Sequence, residues 1–394
     1  MSTGATADTS ATEETAASRR TPARRLAGLT WAHLLNDGAA NYLPGVLPAV
    51  LVAVHQPVQM AGVLIASLTV GQALQPLLGW VADRVGGRWL VVLGLLLSSA
   101  GGALLGVTHD LGMLIVLLLM IGLGSALFHP QALSGVRSLL RGRQGLPTSV
   151  FLVGGELGRG IWPVAASLVA THLGLEYLWI IAIPGLVTVV LLLRWAPDLP
   201  ARPRAVGRIR WREHSRPLAL LLGYRGTRAL TSFGLVTFLP VLWHVRGSSL
   251  VSGASLITTI IVSGVIGNLA GGHLADRFGR RPVLVVSAAA TAALILPVAY
   301  LDGPAVWAAA ALLGPALFLT ASPSVLIGQD IFPENRSMGS GIALGLANGI
   351  GALLVLALGL AITDATVIRV FWVLAAATAA SVLAALAFPR ALMR

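Results

Sequence analysis

The chain has 394 residues, 56% of them hydrophobic and only 11% charged, with a formal charge of +12 carried by 27 basic residues that are all Arg. A soluble domain has about a quarter of its residues charged; this chain cannot cover itself with polar surface, so lipid must be its solvent. The lack of cysteine excludes disulfides, thiolate metal sites and thiol nucleophiles, and arginines spread through short breaks between apolar runs read as membrane topology rather than a nucleic-acid surface.

Residues 1–25 are rich in Thr, Ala, Ser and Glu and then basic (Arg19, Arg20, Arg24, Arg25). They hold no apolar core, so they are expected to form a disordered cytoplasmic tail rather than a cleaved leader. Twelve apolar segments follow, at roughly 27–54, 60–80, 89–107, 111–132, 146–170, 176–194, 217–243, 250–272, 282–301, 304–328, 337–362 and 367–388. Each is near the roughly 20 residues that a helix needs to cross the hydrocarbon core. They are too long and too continuous for barrel strands. The expected fold is an all-α membrane protein of twelve transmembrane helices.

The breaks between segments alternate in charge. One set, with the two chain ends, holds 22 of the arginines, and the other holds only Arg246 and Arg369. Both termini and the basic loops are therefore expected in the cytoplasm. The longest break is Pro- and Arg-rich and divides six segments from six. This gives an N-terminal bundle over 26–195, a basic linker over 196–216 and a C-terminal bundle over 217–390.

Span 1 carries His33, Asp37 and Asn41 at intervals of four, one stripe on a helix, with Asn36 beside Asp37. Asp37 lies roughly 18 Å past Arg25, near the midplane. A charge at that depth costs several kcal/mol, which makes it a functional candidate by default. A proton site or substrate contact is favoured over a permanent partnership with an Arg. In span 4, His129 suits capping and packing as well as proton handling. In span 5, Glu156 and Arg159 are three apart, on one face. They either neutralise each other locally or take part in transport. Span 7 carries Arg225 and Arg228. If both face inward they join Arg159 in a cavity suited to an anionic or zwitterionic solute. Small faces at Gly154 and Gly158, and at Gly341, Gly345 and Gly349, permit close helix contact and are expected to form a moving interface between the bundles.

One charged knot occurs twice. "GWVADRVGGRW" follows span 2 and "GGHLADRFGRRP" follows span 8, with Asp83 and Asp276 193 positions apart. The two copies resemble the loop signature of the major facilitator superfamily, although Gly87 stands where a basic residue is usual. The resemblance implies two pseudo-symmetric six-helix bundles. It also implies a cytoplasmic latch built from Asp83, Arg84, Arg88, Asp276, Arg277 and Arg280. Four further stretches are similar to the fosmidomycin-resistance type of facilitator: "HLLNDGAANYLPGVLPAVL", "GLGSALFHPQA", "GRQGLPTSVFLVGGELG" and "GQDIFPENRSMGSGIALGLANGIG". That group resembles drug:proton antiporters. The glycine-rich "GGELGRG" lies inside an apolar span and lacks a P-loop Lys, which argues against ATP as energy source.

The expectation is a monomeric inner-membrane transporter, not an enzyme and without a cofactor or a metal site. It exports a small organic compound in exchange for protons, with Asp37 and Glu156 as proton sites. His33, Asn36, Asn41, Arg159, Arg225 and Arg228 are the expected substrate contacts. The alternative is an uptake symporter or exchanger for an anion.

Overall fold

The computed structural model describes residues 5–75, 77–78, 81, 88–139, 145–195, 211–332, 339 and 342–393. Among them the regular structure is entirely helical. Span 1 is Ala5–Asn41 continued by Leu43–Ala53, and spans 2 to 5 are Met60–Ala73, Trp89–Leu105, Leu111–Leu139 and Gly145–His172. Span 6 is a 3₁₀ stretch, Leu175–Ala182, running into Ile183–Trp195. Spans 7 to 9 are Trp211–Val245, Leu250–Phe278 and Arg280–Tyr300. Span 10 is broken into Pro304–Phe318 and Ala321–Ile331, span 11 is a π turn Ile342–Leu346 followed by Ala347–Leu360, and span 12 is Ile368–Ala387. Every apolar segment expected from the sequence contains a helix. Seven spans are long and apolar enough to cross a membrane, and three are shorter apolar helices. Spans 1 and 5, which carry Asp37 and the Glu156–Arg159 pair, complete the twelve.

The helix of span 1 starts at Ala5, within the segment expected to be a tail. Alanine has the highest helix propensity, and Glu13 and Glu14 precede the arginines in the order that suits the helix dipole.

Chain breaks occur where the backbone chemistry requires them. Span 1 is interrupted at Tyr42, ahead of Leu43-Pro44, and the Tyr42 hydroxyl donates to Gly102 O at 2.5 Å. The turn between spans 8 and 9 is one residue long. Gly279 has φ +83°, in the left-handed region open to glycine, and donates its N–H to Ala275 O at 2.8 Å. Span 10 breaks at Leu319 and Thr320, between Pro315 and Pro323.

The apolar cores show how the two halves meet. On the face away from the chain ends one continuous core joins both bundles, drawing on Val46, Leu47 and Leu64 from one and Phe238, Leu239 and Val355 from the other. Toward the chain ends the core splits. One cluster, around Leu29, Leu35, Leu95 and Phe128, belongs to the N-terminal bundle. Another, around Leu221, Tyr224, Leu284 and Phe332, belongs to the C-terminal bundle. The molecule is thus closed on one face and cleft on the other. Asp37 falls in span 1 between Leu35 of the split core and Ala40 of the joined one, at the apex of the cleft.

Of the glycines expected between the bundles, Gly341 lies outside the described residues, and Gly154, Gly158 and Gly349 meet other surroundings. Gly154 and Gly158 pack on the Thr30 and Leu34 carbonyls of span 1, inside one bundle, and Gly349 has open space where a side chain would sit. The bundles touch instead at Gly62, where a Cβ would lie 3.0 Å from Val355 O and 3.2 Å from Gly359 Cα. They also touch at Gly160, whose carbonyl accepts from Thr258 Oγ1 at 2.6 Å. The spacing was right for close packing, but helical periodicity does not say which neighbour a small face meets.

Candidate functional site

The intervals of four in span 1 do what a helix requires and put His33 and Asp37 side by side, with His33 Nε2 3.5 Å from Asp37 Oδ2. Span 4 adds His129, whose Nε2 is 3.1 Å from Asp37 Oδ1 and 3.2 Å from His33 Nε2. Span 5 adds Arg159, with Nε 3.6 Å from Asp37 Oδ2, and Glu156, whose Oε1 accepts from Arg159 Nη2 at 2.6 Å. Glu156 and Arg159 pair with each other, and through Arg159 the pair also meets Asp37. Asn36 Nδ2 donates to Asp37 Oδ1 at 3.2 Å while its Oδ1 accepts from Ser98 at 3.0 Å. Asn41 turns from the carboxylate and donates to the Asp37 backbone carbonyl at 2.8 Å.

Glycine makes this convergence possible. Spans 1 and 5 are in backbone contact, and a Cβ on Gly155 would strike the His33 imidazole and lie 2.9 Å from Asp37 Oδ2. Aromatic rings hold His33 in place, with Phe151 stacked at a centroid distance of 4.1 Å and Phe128 at 6.0 Å.

The hydrogen bonds fix the tautomers. His33 Nδ1 lies 2.7 Å from Phe151 O, and His129 Nδ1 lies 2.7 Å from Ser125 O. A carbonyl oxygen only accepts, so both Nδ1 atoms carry hydrogen. If the imidazoles are neutral, both Nε2 lone pairs point at each other and at a carboxylate. With neutral imidazoles the group is Asp37⁻, Glu156⁻ and Arg159⁺, a net charge of −1. Three acceptors facing one point repel one another until a cation enters. Asp37 and His33 are buried, whereas the His129 side chain is 26% exposed and that of Arg159 38%. Glu156 lies one turn before Gly160, which touches span 8, so this side of the cluster faces the cleft between bundles.

Arg225 and Arg228 do not join this cluster. Arg228 is buried in the C-terminal bundle and donates through Nη2 to Ser287 Oγ at 3.0 Å, Ala316 O at 3.1 Å and Leu317 O at 2.5 Å. These two carbonyls lie in the last turn before the break in span 10. The guanidinium therefore caps the broken helix end, where a positive charge also suits the dipole. Arg225 Nε donates to Ala343 O at 3.2 Å. Among the described residues no carboxylate pairs with either arginine.

Of the duplicated charged knot, Asp83 and Arg84 lie outside the described residues. Arg88 is half-buried at the head of span 3, and Asp276 and Arg277 are exposed at the end of span 8. Arg280 reaches Asp330 Oδ2 at 2.6 Å and Leu392 O at 3.1 Å, both within its own bundle. A small cavity of about 30 Å³ lies where spans 1, 2 and 7 meet, lined in part by Asn41, Thr69, Gln72 and Thr237.

A family model described as Major Facilitator Superfamily matches residues 29–346 and 221–392. The chain belongs to the Major Facilitator Superfamily. It is a membrane transporter of that superfamily, and its twelve helices in two six-helix halves are the superfamily's fold. A relative from Bacillus subtilis (strain 168), an uncharacterized MFS-type transporter named YfnC, is 29% identical, covering 84% of this chain and 85% of that one. The fosmidomycin resistance protein of Escherichia coli (strain K12) is 25% identical over 88% of both chains. Among solved structures, the nucleoside transporter NupG aligns with a TM-score of 0.77 at 16% identity, covering 92% of this chain and 99% of that one. The peptide transporter POT in complex with sulfate aligns at 0.76, also with 16% identity, covering 94% and 95%. At such identity these two structures bear on the fold alone.

Sequence reasoning gave His129 no preference between packing and proton handling. Its connection to Asp37 joins residues 92 positions apart on two different spans, which no local spacing encodes. The one available signal was its place as an ionisable group in an apolar span.

Proposed function

We propose that this facilitator exports a small organic compound in exchange for protons, with the Asp37–His33–His129 cluster as the proton site. The observation that carries this reading is the convergence of three acceptors on one point beside the cleft. Such a site favours the uptake of one positive charge, and His129 and Arg159 give it an approach from water. Glu156 and Arg159 contribute the fixed part of the balance and contact the compound in the cleft, together with Asn36 and Asn41. The names of the relatives support the outward direction: one is a fosmidomycin resistance protein and another, from Yersinia enterocolitica, a putative multidrug resistance protein.

The protein works as a monomer in the inner membrane, with both ends in the cytoplasm, and its cleft then opens to the cytoplasm. Arg88, Asp276, Arg277 and Arg280, with Asp83 and Arg84, serve as the latch. Arg280 bonded inside its own bundle suits the released position. The two halves rock about the midplane site, exposing it to one side at a time.

A second reading is anion uptake. It is favoured by Arg228, which is buried, and Arg225, which is half-buried, neither with a described carboxylate partner; the capping geometry of Arg228 weakens it.

The test is flux in proteoliposomes under an imposed pH gradient, with a panel of small toxic compounds. The wild type moves compound outward while dissipating the gradient, and Asp37→Asn loses the coupled proton movement. Full proton-coupled flux in Asp37→Asn rejects the mechanism, and accumulation with the gradient selects the uptake reading.

A further inference from the structure

We infer that His33 Nε2, His129 Nε2 and the Asp37 carboxylate form a three-ligand site for a divalent transition-metal ion of the Zn²⁺ class. The argument is geometric and independent of the direction or coupling of transport. Zinc binds imidazole nitrogen at about 2.0–2.1 Å in tetrahedral array, so its ligand atoms lie roughly 3.3 Å from one another. Here the two Nε2 atoms lie 3.2 Å apart, His129 Nε2 is 3.1 Å from Asp37 Oδ1 and His33 Nε2 is 3.5 Å from the other oxygen, Oδ2, so one carboxylate oxygen and the two nitrogens lie within 4.8 Å of one another. A proton on His129 Nε2 satisfies one nitrogen–oxygen pair and leaves the His33 lone pair facing an occupied position. A metal ion satisfies all three donors at once.

The outer partners also fit. A metal-binding histidine almost always gives its other N–H to a carbonyl or carboxylate, which fixes ring and tautomer. His33 does so to Phe151 O and His129 to Ser125 O, each at 2.7 Å. Asn36 Nδ2, 3.2 Å from Oδ1, orients the carboxylate in the same way. The donor set of two imidazoles and a carboxylate selects Zn²⁺, Cu²⁺, Ni²⁺ or Co²⁺ over Mg²⁺ and Ca²⁺, which prefer oxygen. Charge does not oppose the ion. Arg159 is the nearest cation, at 3.6 Å from Asp37, but Glu156 holds it at 2.6 Å and the group remains at −1. The exposed side of His129 leaves room for water as the fourth ligand.

The experiment is a titration of untagged, purified protein in nanodiscs with Co²⁺, read by visible absorption, followed by displacement with Zn²⁺. The expected result is one ion per chain with the intense bands of tetrahedral Co²⁺, abolished by Zn²⁺. His33→Gln, His129→Gln and Asp37→Asn each weaken binding at least tenfold, and His244→Gln, at the far end of span 7, does not. Because the chain has no other cysteine, His129→Cys adds a second measurement: a thiolate-to-cobalt charge-transfer band appears only if that position ligates the ion. Wild-type protein without tetrahedral bands, unchanged affinity in all three ligand variants, or a folded His129→Cys protein without the charge-transfer band overturns the site. No substrate and no pH gradient enter this measurement. Cobalt binding in a protein that fails the proton assay rejects the coupling mechanism and leaves the metal site standing, and the reverse pair of results does the opposite.

Discussion

Gly155→Ala perturbs the cluster without removing any of its functional groups. An added methyl strikes the His33 ring and lies 2.9 Å from Asp37 Oδ2, so the carboxylate has to retreat by about 0.5 Å to reach ordinary contact. Neither side yields easily. His33 is pinned by Phe151 through stacking and through the bond to its carbonyl, and Asp37 is bonded by Asn36. Overpacking of this kind costs about 1–3 kcal/mol, partly offset by the roughly 0.5–1 kcal/mol that Ala gains over Gly inside a helix. If the displacement acts on cation uptake, 1–3 kcal/mol corresponds to about a 5–150-fold loss of apparent affinity. Gly349→Ala is the control, because its methyl meets nothing within 4 Å. The assays are thermal unfolding followed by tryptophan fluorescence, and proton-coupled flux in proteoliposomes. Gly155→Ala is expected to melt lower than the control and to need a higher proton concentration for half-maximal flux. Melting and flux equal to those of Gly349→Ala would refute the packing argument and the placement of the cluster with it.

Two further outcomes follow from the contacts between and within bundles. Gly62→Cys combined with Gly359→Cys crosslinks under mild oxidation, because the two backbones are in van der Waals contact across the closed face. The bridge stops transport until it is reduced, and undiminished flux in the crosslinked protein contradicts motion at this face. Arg228→Ala uncaps the carbonyls of Ala316 and Leu317 and lowers unfolding stability by about 1–3 kcal/mol for each acceptor left unsatisfied. Flux per folded molecule is retained if the arginine is a cap, and selective loss of anion transport at unchanged stability assigns it to substrate.

Much of the fold was legible because lipid imposes a one-dimensional rule. Each crossing needs an apolar run of near-fixed length, and arginine marks the breaks, so every expected segment contains a helix. The candidate cluster was legible only along single helices. His33 with Asp37, and Glu156 with Arg159, obey helical spacing and could be read directly. The link from Asp37 to His129 and Arg159 is tertiary, and it depends on how closely Gly155 lets spans 1 and 5 approach. Arg228 shows the opposite limit. Its chemistry suggested an anion in the cavity, yet its guanidinium turns to carbonyls exposed by a helix break that lies 88 positions away in span 10. Composition could not place that break, since Pro315 and Pro323 flank it without either being sufficient to end a buried helix.

The net charge of the cluster gives the transport cycle its direction of constraint. Asp37 now sits at the apex of a cleft, with Arg159 and His129 reaching solvent. For the halves to rock, the core on the closed face must part and the two separate clusters around Leu29 and Leu221 must come together. During that passage the site is enclosed by apolar side chains, where an unbalanced charge costs several kcal/mol. At −1 the passage is opposed. With one proton added the group is neutral and the barrier loses this electrostatic part. An exchanger needs the complementary step, in which a bound compound displaces the proton and restores neutrality by its own charge. A cationic compound satisfies that condition within the cluster. An anion adds to the existing negative charge and requires Arg225 and Arg228 to leave their carbonyl partners. Under the proposed exchange, the geometry suits compounds that bring positive charge to Asp37 and Glu156, and competition by such compounds with proton uptake is the behaviour that separates this order of events from simple diffusion through the cleft.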